Sequence, residues 1–540
     1  MPAEDDDLVA ARDAYCRGDW RSAYEHFGRA GKTAELNTDD LSSYGMAAWR
    51  LGYGRESIRL SEEAFNRLVA ENNTKTAAMK AADVALQWLN GGDQTITRVW
   101  VNRARRLLES SPEDEAFAYL LYVDSQLSVV DGQFDAGVQR ALELQEFVSR
   151  RNSPGLTALC LAANGLSKIP FARTGEAMAD LDEAMMPVLA GQVPVDWAGD
   201  IYCAVIHECY RLGDMNRMKT WTNAMDKWRE GPEVAASWYG TTCEIHKWQL
   251  LSATADYREL EQRLVDALAV IEDFHVGTAG EGHYELGDIR RRMGDVEGAR
   301  AAFAKAREIG FEPLPGEALM KCRLGDDAAA WSDLQMRIDA EEDEISRIRL
   351  LPAAIEIALA RDRVSEADRC CRELEEGAEK FDSPGFRTWA LHARGAVLVK
   401  QGKPAEALPL LQDALRRYRS TQRRYEMAQV YEWMSQAHEA NGDNDDALDD
   451  RANANSIYQQ LGAKPTQAAS AEIPGGLTKR EVEVLALIAA GSSNRDVAKQ
   501  LFISEKTVGR HLANIFVKLD VSSRTAAAAW AHENKVLPSA

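Results

Sequence analysis

Small and apolar residues recur along the first 460 positions at fixed distances from a turn. Gly18 is followed by Ala23, Phe27 and Ala30, at offsets of five, nine and twelve. The same offsets give Ala299, Phe303 and Ala306 after Gly294, and Ala407, Leu411 and Ala414 after Gly402. They return as Gly137, Ala141 and Leu144 after Gly132, and as Ala447, Arg451 and Ala454 after Gly442. Weaker turns fall at Gly52, Gly92, near Ala172, at Gly213, near Ala255, and at Gly325 and Asp362. The successive spacings are then 34, 40, 40, 40, 41, 42, 39, 31, 37, 40 and 40. Offsets of this kind are helical, and a near-constant period marks a repeat architecture. Each unit reads as a helix, a tight turn and a second helix. The small residue at +5 lets the two helices approach, and the +9 and +12 residues fill the groove between them. The pattern predicts an all-α, quasi-one-dimensional array over residues 1–462 with a long concave face. Two stretches interrupt it. The proline-rich Phe311–Gly316 is expected to kink the array into two arms, and residues 463–475, small, polar and proline-containing, read as a flexible linker.

From Gly476 onward the pattern changes to four short helices. Thr478 and Glu481 form a capping box, in which the hydroxyl accepts the N3 amide and the carboxylate reaches back to the N-cap amide. Val482, Leu485, Ile488 and Ala489 follow at helical spacing, and Gly491 stands where a left-handed residue ends a helix. Ser493 with Asp496 opens a second helix that runs through Leu501. Ser504 caps a third, with Val508, Leu512, Ile515, Phe516 and Leu519 on its apolar face. Ser522 or Ser523 starts an alanine-rich fourth helix. The short turn Phe502–Ser504 suits a helix-turn-helix. At about 100° per residue, the outward face of the third helix holds Lys506, Arg510, Ala513 and Val517, flanked by Asn514 and Gly509. An arginine can grip guanine O6 and N7 with two hydrogen bonds, and small apolar groups can meet a thymine methyl. Lys506 near the helix start suits a phosphate or a base.

These residues resemble the DNA-binding domain of LuxR/GerE-type bacterial transcription regulators. The matching positions include Leu477–Thr478, Arg480–Glu481, Val484–Leu485, Gly491, Ser493–Asn494, Val497–Ala498, Ile503–Ser504, Lys506–Thr507–Val508, His511, Ile515, Lys518–Leu519, Val521 and Arg524. The resemblance implies that the third helix of residues 476–540 reads the major groove of double-stranded DNA. It makes Asn494, Lys506, Thr507, Gly509, Arg510, Ala513, Asn514 and Lys518 the candidate DNA-binding residues. It also implies a homodimer formed through the fourth helix at Ala527, Ala528 and Ala531, with Trp530 beside them. Gly509 departs from the family, which often has a basic or polar residue there, and shifts base reading onto Arg510. The repeats resemble tetratricopeptide repeats, with Gly287 and Gly395 seven residues before a turn glycine. Their length resembles the sensor superhelix of MalT-like regulators, in a chain that lacks an ATPase domain. Such a face would bind a peptide, a protein or a small molecule. The resulting expectation is a cytoplasmic DNA-binding regulator; a repeat scaffold for protein binding is the alternative.

Charge sharpens this division. The chain carries a net charge of −21. Residues 471–540 hold nine Lys/Arg and seven Asp/Glu, a balance of +2, whereas the remaining 55 basic and 78 acidic residues leave −23. An acidic body is repelled by phosphate, so only the tail is expected to approach DNA. No run of 18 apolar residues suggests a membrane span, and MPAEDDDL does not resemble a secretory leader. The eight cysteines contain no C-x-x-C pair and read as reduced thiols, with Cys370–Cys371 as two small residues on one helix. Gly31–Lys32–Thr33 lacks the first glycine of a phosphate loop, since residue 26 is His26. His207–Glu208 lacks a second metal-ligating histidine, since Arg211 stands in its place. No catalytic constellation, metal site or cofactor is expected.

Overall fold

The computed structural model describes residues 6–33, 35–109, 114–230, 244–251, 255–271, 276–465, 479–501, 505–519, 521 and 523–533. Among them the regular structure is entirely helical. The chain divides into two compact units, Met1–Lys464 and Pro465–Ala540. Most of the expected linker, residues 466–475, lies outside the described residues.

The body is a succession of helical hairpins that turn where the sequence pattern places them. Gly18, Gly52, Gly92, Gly132, Gly213, Gly294, Gly325, Gly402 and Gly442 all have positive φ, as do Ala172 and Asp362. Ala255 adjoins residues outside the described set. The offsets carry through to the weak repeats. Ala177, Leu181 and Ala184 are fully buried at +5, +9 and +12 from Ala172, and so are Ala367, Cys371 and Leu374 from Asp362. This explains the cysteine pair. Cys371 fills a hairpin groove, and burial pushes its thiol up to about 12, which leaves it unreactive.

The seventh residue before the turn completes each hairpin. A Cβ on Gly165, Gly287 or Gly395 would lie 2.6, 2.4 and 2.6 Å from Leu181, Phe303 and Leu411, the +9 residue of its own unit. Where a serine stands there, its hydroxyl adds a hydrogen bond to the +5 carbonyl instead: Ser125 donates to Gly137 O at 3.1 Å and Ser435 to Ala447 O at 2.7 Å. The spacing of 31 residues after Gly294 arises because the next first helix, Gly316–Arg323, has only 8 residues. The proline-rich connection before it is packed. Phe311 sits where a Cβ on Gly280 would be, and its ring lies 5.8 Å from Tyr284.

The body departs from a one-dimensional array. Hairpins far apart in sequence touch, so the coil closes on itself. One hydrophobic core joins Phe65–Met225 directly to Ala318–Val397. A second joins Trp248, Tyr257, Leu260, Leu286 and Ile289 to Tyr425, Ala428, Tyr458 and Leu461. The turn at Gly213 lies against the start of the helix Pro384–Lys400, where a Cβ on Gly385 would be 2.6 Å from Gly213 Cα. Charge is buried beside these closures. Asp288, 7% exposed, pairs with Arg291 and Arg292, both at 2.7 Å. Burial alone would raise the Asp288 carboxyl, but the two arginines hold it down at about 2. The inner face therefore holds the body's own contacts between turns, which a repeat pattern does not encode. No described helix is long and apolar enough to cross a membrane.

Candidate nucleic-acid interface

The C-terminal unit contains four described helices: α1 (Lys479–Ala489), α2 (Asn494–Gln500), α3 (Glu505–Leu519) and α4 (Arg524–Glu533). Its core is built from Val484, Leu485 and Ile488 of α1, Val497 and Ala498 of α2, Val508, Leu512, Ile515 and Leu519 of α3, and Ala527 and Ala531 of α4. Gly491, at φ +87, ends α1. The capping box on α2 is formed in both directions: Asp496 N donates to Ser493 Oγ at 3.3 Å, and Ser493 N donates to Asp496 Oδ2 at 3.2 Å. Hydrogen bonds from Ser493 hold the Asp496 carboxyl below its ordinary value. Ser523 Oγ accepts Ala526 N at 3.2 Å and so begins α4. Thr478, Ser504, Ser522 and the turn 502–504 lie outside the described residues.

Core packing on one side of α3 fixes what its other side presents. Gly509, Ala513 and Asn514 are exposed, whereas Thr507 is half-buried. A Cβ at Gly509 would meet nothing within 4 Å. No packing demand accounts for this glycine, and it leaves a low, open stretch of helix surface. The side chains of Lys506, Arg510 and Val517 lie outside the described set. Two other candidates are engaged within the unit. Lys518 donates to Glu481 Oε2 at 2.7 Å, and Glu481 is only 3% exposed. Asn494 Oδ1 accepts from Arg524 Nη1 at 2.9 Å, and Arg524 also donates to Ser492 O. Lys518 thus ties the end of α3 to α1, and Arg524 ties the start of α4 to the turn before α2. The sequence pattern marked Glu481 only as a cap and gave Arg524 no role. The signal in hand was that both stand among the matched positions.

Two of the expected dimerisation residues, Ala527 and Ala531, are fully buried in the unit's own core, where α4 packs against α1. The open side of α4 carries Thr525 and Ala529, with Ala528 half-buried.

With this geometry in place, comparison with known proteins is decisive for the C-terminal unit. Residues 476–531 match the family of bacterial regulatory proteins, luxR family. The C-terminal unit is a LuxR-type helix-turn-helix domain. The LuxR-type domain is 54% identical over 61 residues to the transcriptional regulatory protein LiaR of Bacillus subtilis, a match covering 11% of this chain and 29% of that protein. It is 50% identical over 58 residues to the CsgBAC operon transcriptional regulatory protein of Escherichia coli, covering 11% and 27%. The chain thus spans under a third of the length of these relatives. The crystal structure of the APC/C hetero-tetramer Cut9-Hcn1 aligns with 96% of this chain and 95% of its own, at 12% identity and a TM-score of 0.44.

The motifs weighed for other chemistry have structural places in the body. Gly31–Lys32–Thr33 closes the helix Trp20–Thr33, with no strand before it. His207–Arg211 ends the helix Val195–Arg211, where Arg211 pairs with Glu208 at 2.8 Å.

Proposed function

We propose that the protein is a sequence-specific DNA-binding transcription regulator whose helical body senses a peptide, protein or small-molecule effector. The observation that carries this reading is the exposed face of α3, with Gly509, Ala513 and Asn514 free of packing, in a domain matched to DNA-binding regulators. Arg510 reads a base, by two hydrogen bonds to guanine. Lys506 and Thr507 hold the backbone. Lys518 and Asn494 act chiefly by fixing α3 and α2, since both are already engaged by Glu481 and Arg524. Two copies bind two half-sites, meeting through Thr525, Ala528 and Ala529 rather than through the buried alanines. The protein works in the bacterial cytoplasm, without a cofactor and without catalysis.

The test is recovery of DNA fragments from a genomic pool by the full chain and by residues 465–540. A shared, roughly palindromic motif is expected, with affinity falling steeply as salt rises. Arg510→Ala is expected to lose about 1–3 kcal/mol of discrimination at one base position. Recovery of fragments without a common motif would overturn the reading and favour a protein-binding scaffold.

A further inference from the structure

Beside the apolar cores it shares with the hairpins, the contact between turns of the coil includes polar bonds to main-chain carbonyls. At the end of the helix Val195–Arg211, the last main-chain carbonyls have spare hydrogen-bonding capacity, although Tyr210 O already accepts Gly213 N at 3.0 Å. Here groups more than a hundred residues away take it up. Arg349 Nη1 donates to Tyr210 O at 2.6 Å and to Arg211 O at 3.1 Å. Ser383 Oγ donates to Leu212 O. Arg211 pairs with Asp343 at 2.8 Å, and Asp343 is itself the N-cap of the helix Glu344–Ala360. The Arg349 guanidinium also lies over the Tyr210 ring, 4.2 Å from its centre. When the seam parts, each of these polar groups can be satisfied by water, so none is stranded; the apolar residues shared across it, among them Leu212, Ile345 and Phe386, favour the closed form.

The seam is also joined to the place where the chain leaves the body. Tyr210 donates to Glu285 at 3.3 Å. Glu285 lies on the helix Val276–Met293, which carries Asp288, Arg291 and Arg292 in its last turns. The carbonyl of Arg292 accepts the amide of Lys464 at 2.8 Å, and the Lys464 side chain packs on Gly294. Lys464 is the last residue of the body.

We propose that this seam is the switch of the repeat body. It has a closed and an open state, the effector sets the balance between them, and the helix Val276–Met293 relays the state to Lys464 and so to the LuxR-type domain. A coupling of this kind needs one element with two states that both sites bias, and the seam supplies it. The relay rests on the body alone; its consequence for DNA rests on the function proposed above.

The experiment uses the full chain and two variants that part the seam at different points. Arg349→Ala removes the carbonyl cap, and Gly385→Ala places a Cβ 2.5 Å from Gly213 O. Amide exchange is followed in peptides covering 208–215 and 460–465, and DNA affinity is measured on the same samples. Faster exchange in both peptides is expected, with a change in DNA affinity of at least about fivefold. Faster exchange at 208–215 with unchanged protection at Lys464 overturns the relay. Faster exchange in both with unchanged DNA affinity overturns the switch. If the unaltered chain binds no DNA, the DNA reading fails, and the exchange data still decide the relay. Should Arg349→Ala lose its helical signal, Gly385→Ala carries the test alone.

Discussion

Between neighbouring hairpins, the body is held by alanines, glycines and aromatic rings in a fixed register. Between the turns of its coil, shared apolar cores are supplemented by arginines, carboxylates and main-chain carbonyls. The first kind of contact repeats, tolerates drift in spacing and gives each unit its shape. The second occurs where chain segments about 170 residues apart meet, and it selects one closure of the coil from the many that a flexible array would allow. The comparison teaches that repetition builds the body and that unrepeated residues decide how it closes.

The largest expected effect lies with the charges buried beside the closures, Asp288 and the arginines of its own helix. Asp288→Ala leaves Arg291, 6% exposed, without its carboxylate. Breaking a buried pair in this way should cost about 3–5 kcal/mol, read as a lower urea midpoint for the body. Next, Gly395→Val probes the apolar class. The added Cβ lies 2.6 Å from Leu411, and overpacking should cost about 1–3 kcal/mol. Arg349→Ala probes the polar bonds between turns directly, and a urea midpoint unchanged by it would break the comparison. Then comes the Lys518–Glu481 pair in the LuxR-type domain, whose lysine is 36% exposed. Glu481→Ala leaves that ammonium to water and should destabilise the domain by about 1 kcal/mol. Because the domain has its own core, the loss should appear in its melting transition and leave the body's in place. A single merged transition would contradict that independence.

The smallest effect is a pH dependence. Burial, with Glu285 close by, pushes the Glu281 carboxyl up to about 7 from an ordinary 4.5, against the pull of Arg349. A raised folded-state value means that the protonated form favours folding. Its contribution is full below about 4.5 and fades as pH rises through 7. The body's melting temperature should therefore carry a component that falls between about pH 4.5 and pH 7, and Glu281→Gln should remove it.

Much of the fold was legible because hairpin packing is local. Ala23, Phe27 and Ala30 could be read as groove residues from spacing alone, and all three are buried. The same holds for Leu485, Ile488 and Ile515 in the LuxR-type domain. The closure of the coil was not legible. Arg349 and Ser383 look like any polar residues near helix starts until Tyr210 and Leu212 arrive from another turn. Ala527 and Ala531 were marked by the family resemblance alone, and a resemblance names a helix without saying which of its residues its own domain buries. Asn494 and Lys518 were marked by their positions, and only the folded domain shows their partners, Arg524 and Glu481.

The approach of Gly213 to Gly385 has one more consequence. An open array can gain or lose a whole hairpin during evolution, since each newcomer needs only a compatible neighbour above and below. Here two residues must arrive at the same point from opposite sides of a coil, with no side chain on either to absorb an error. Duplicating or deleting one unit between them would carry Gly385 past its mark. The number of hairpins in that stretch is therefore a fixed property of the molecule, like the number of strands in a closed barrel.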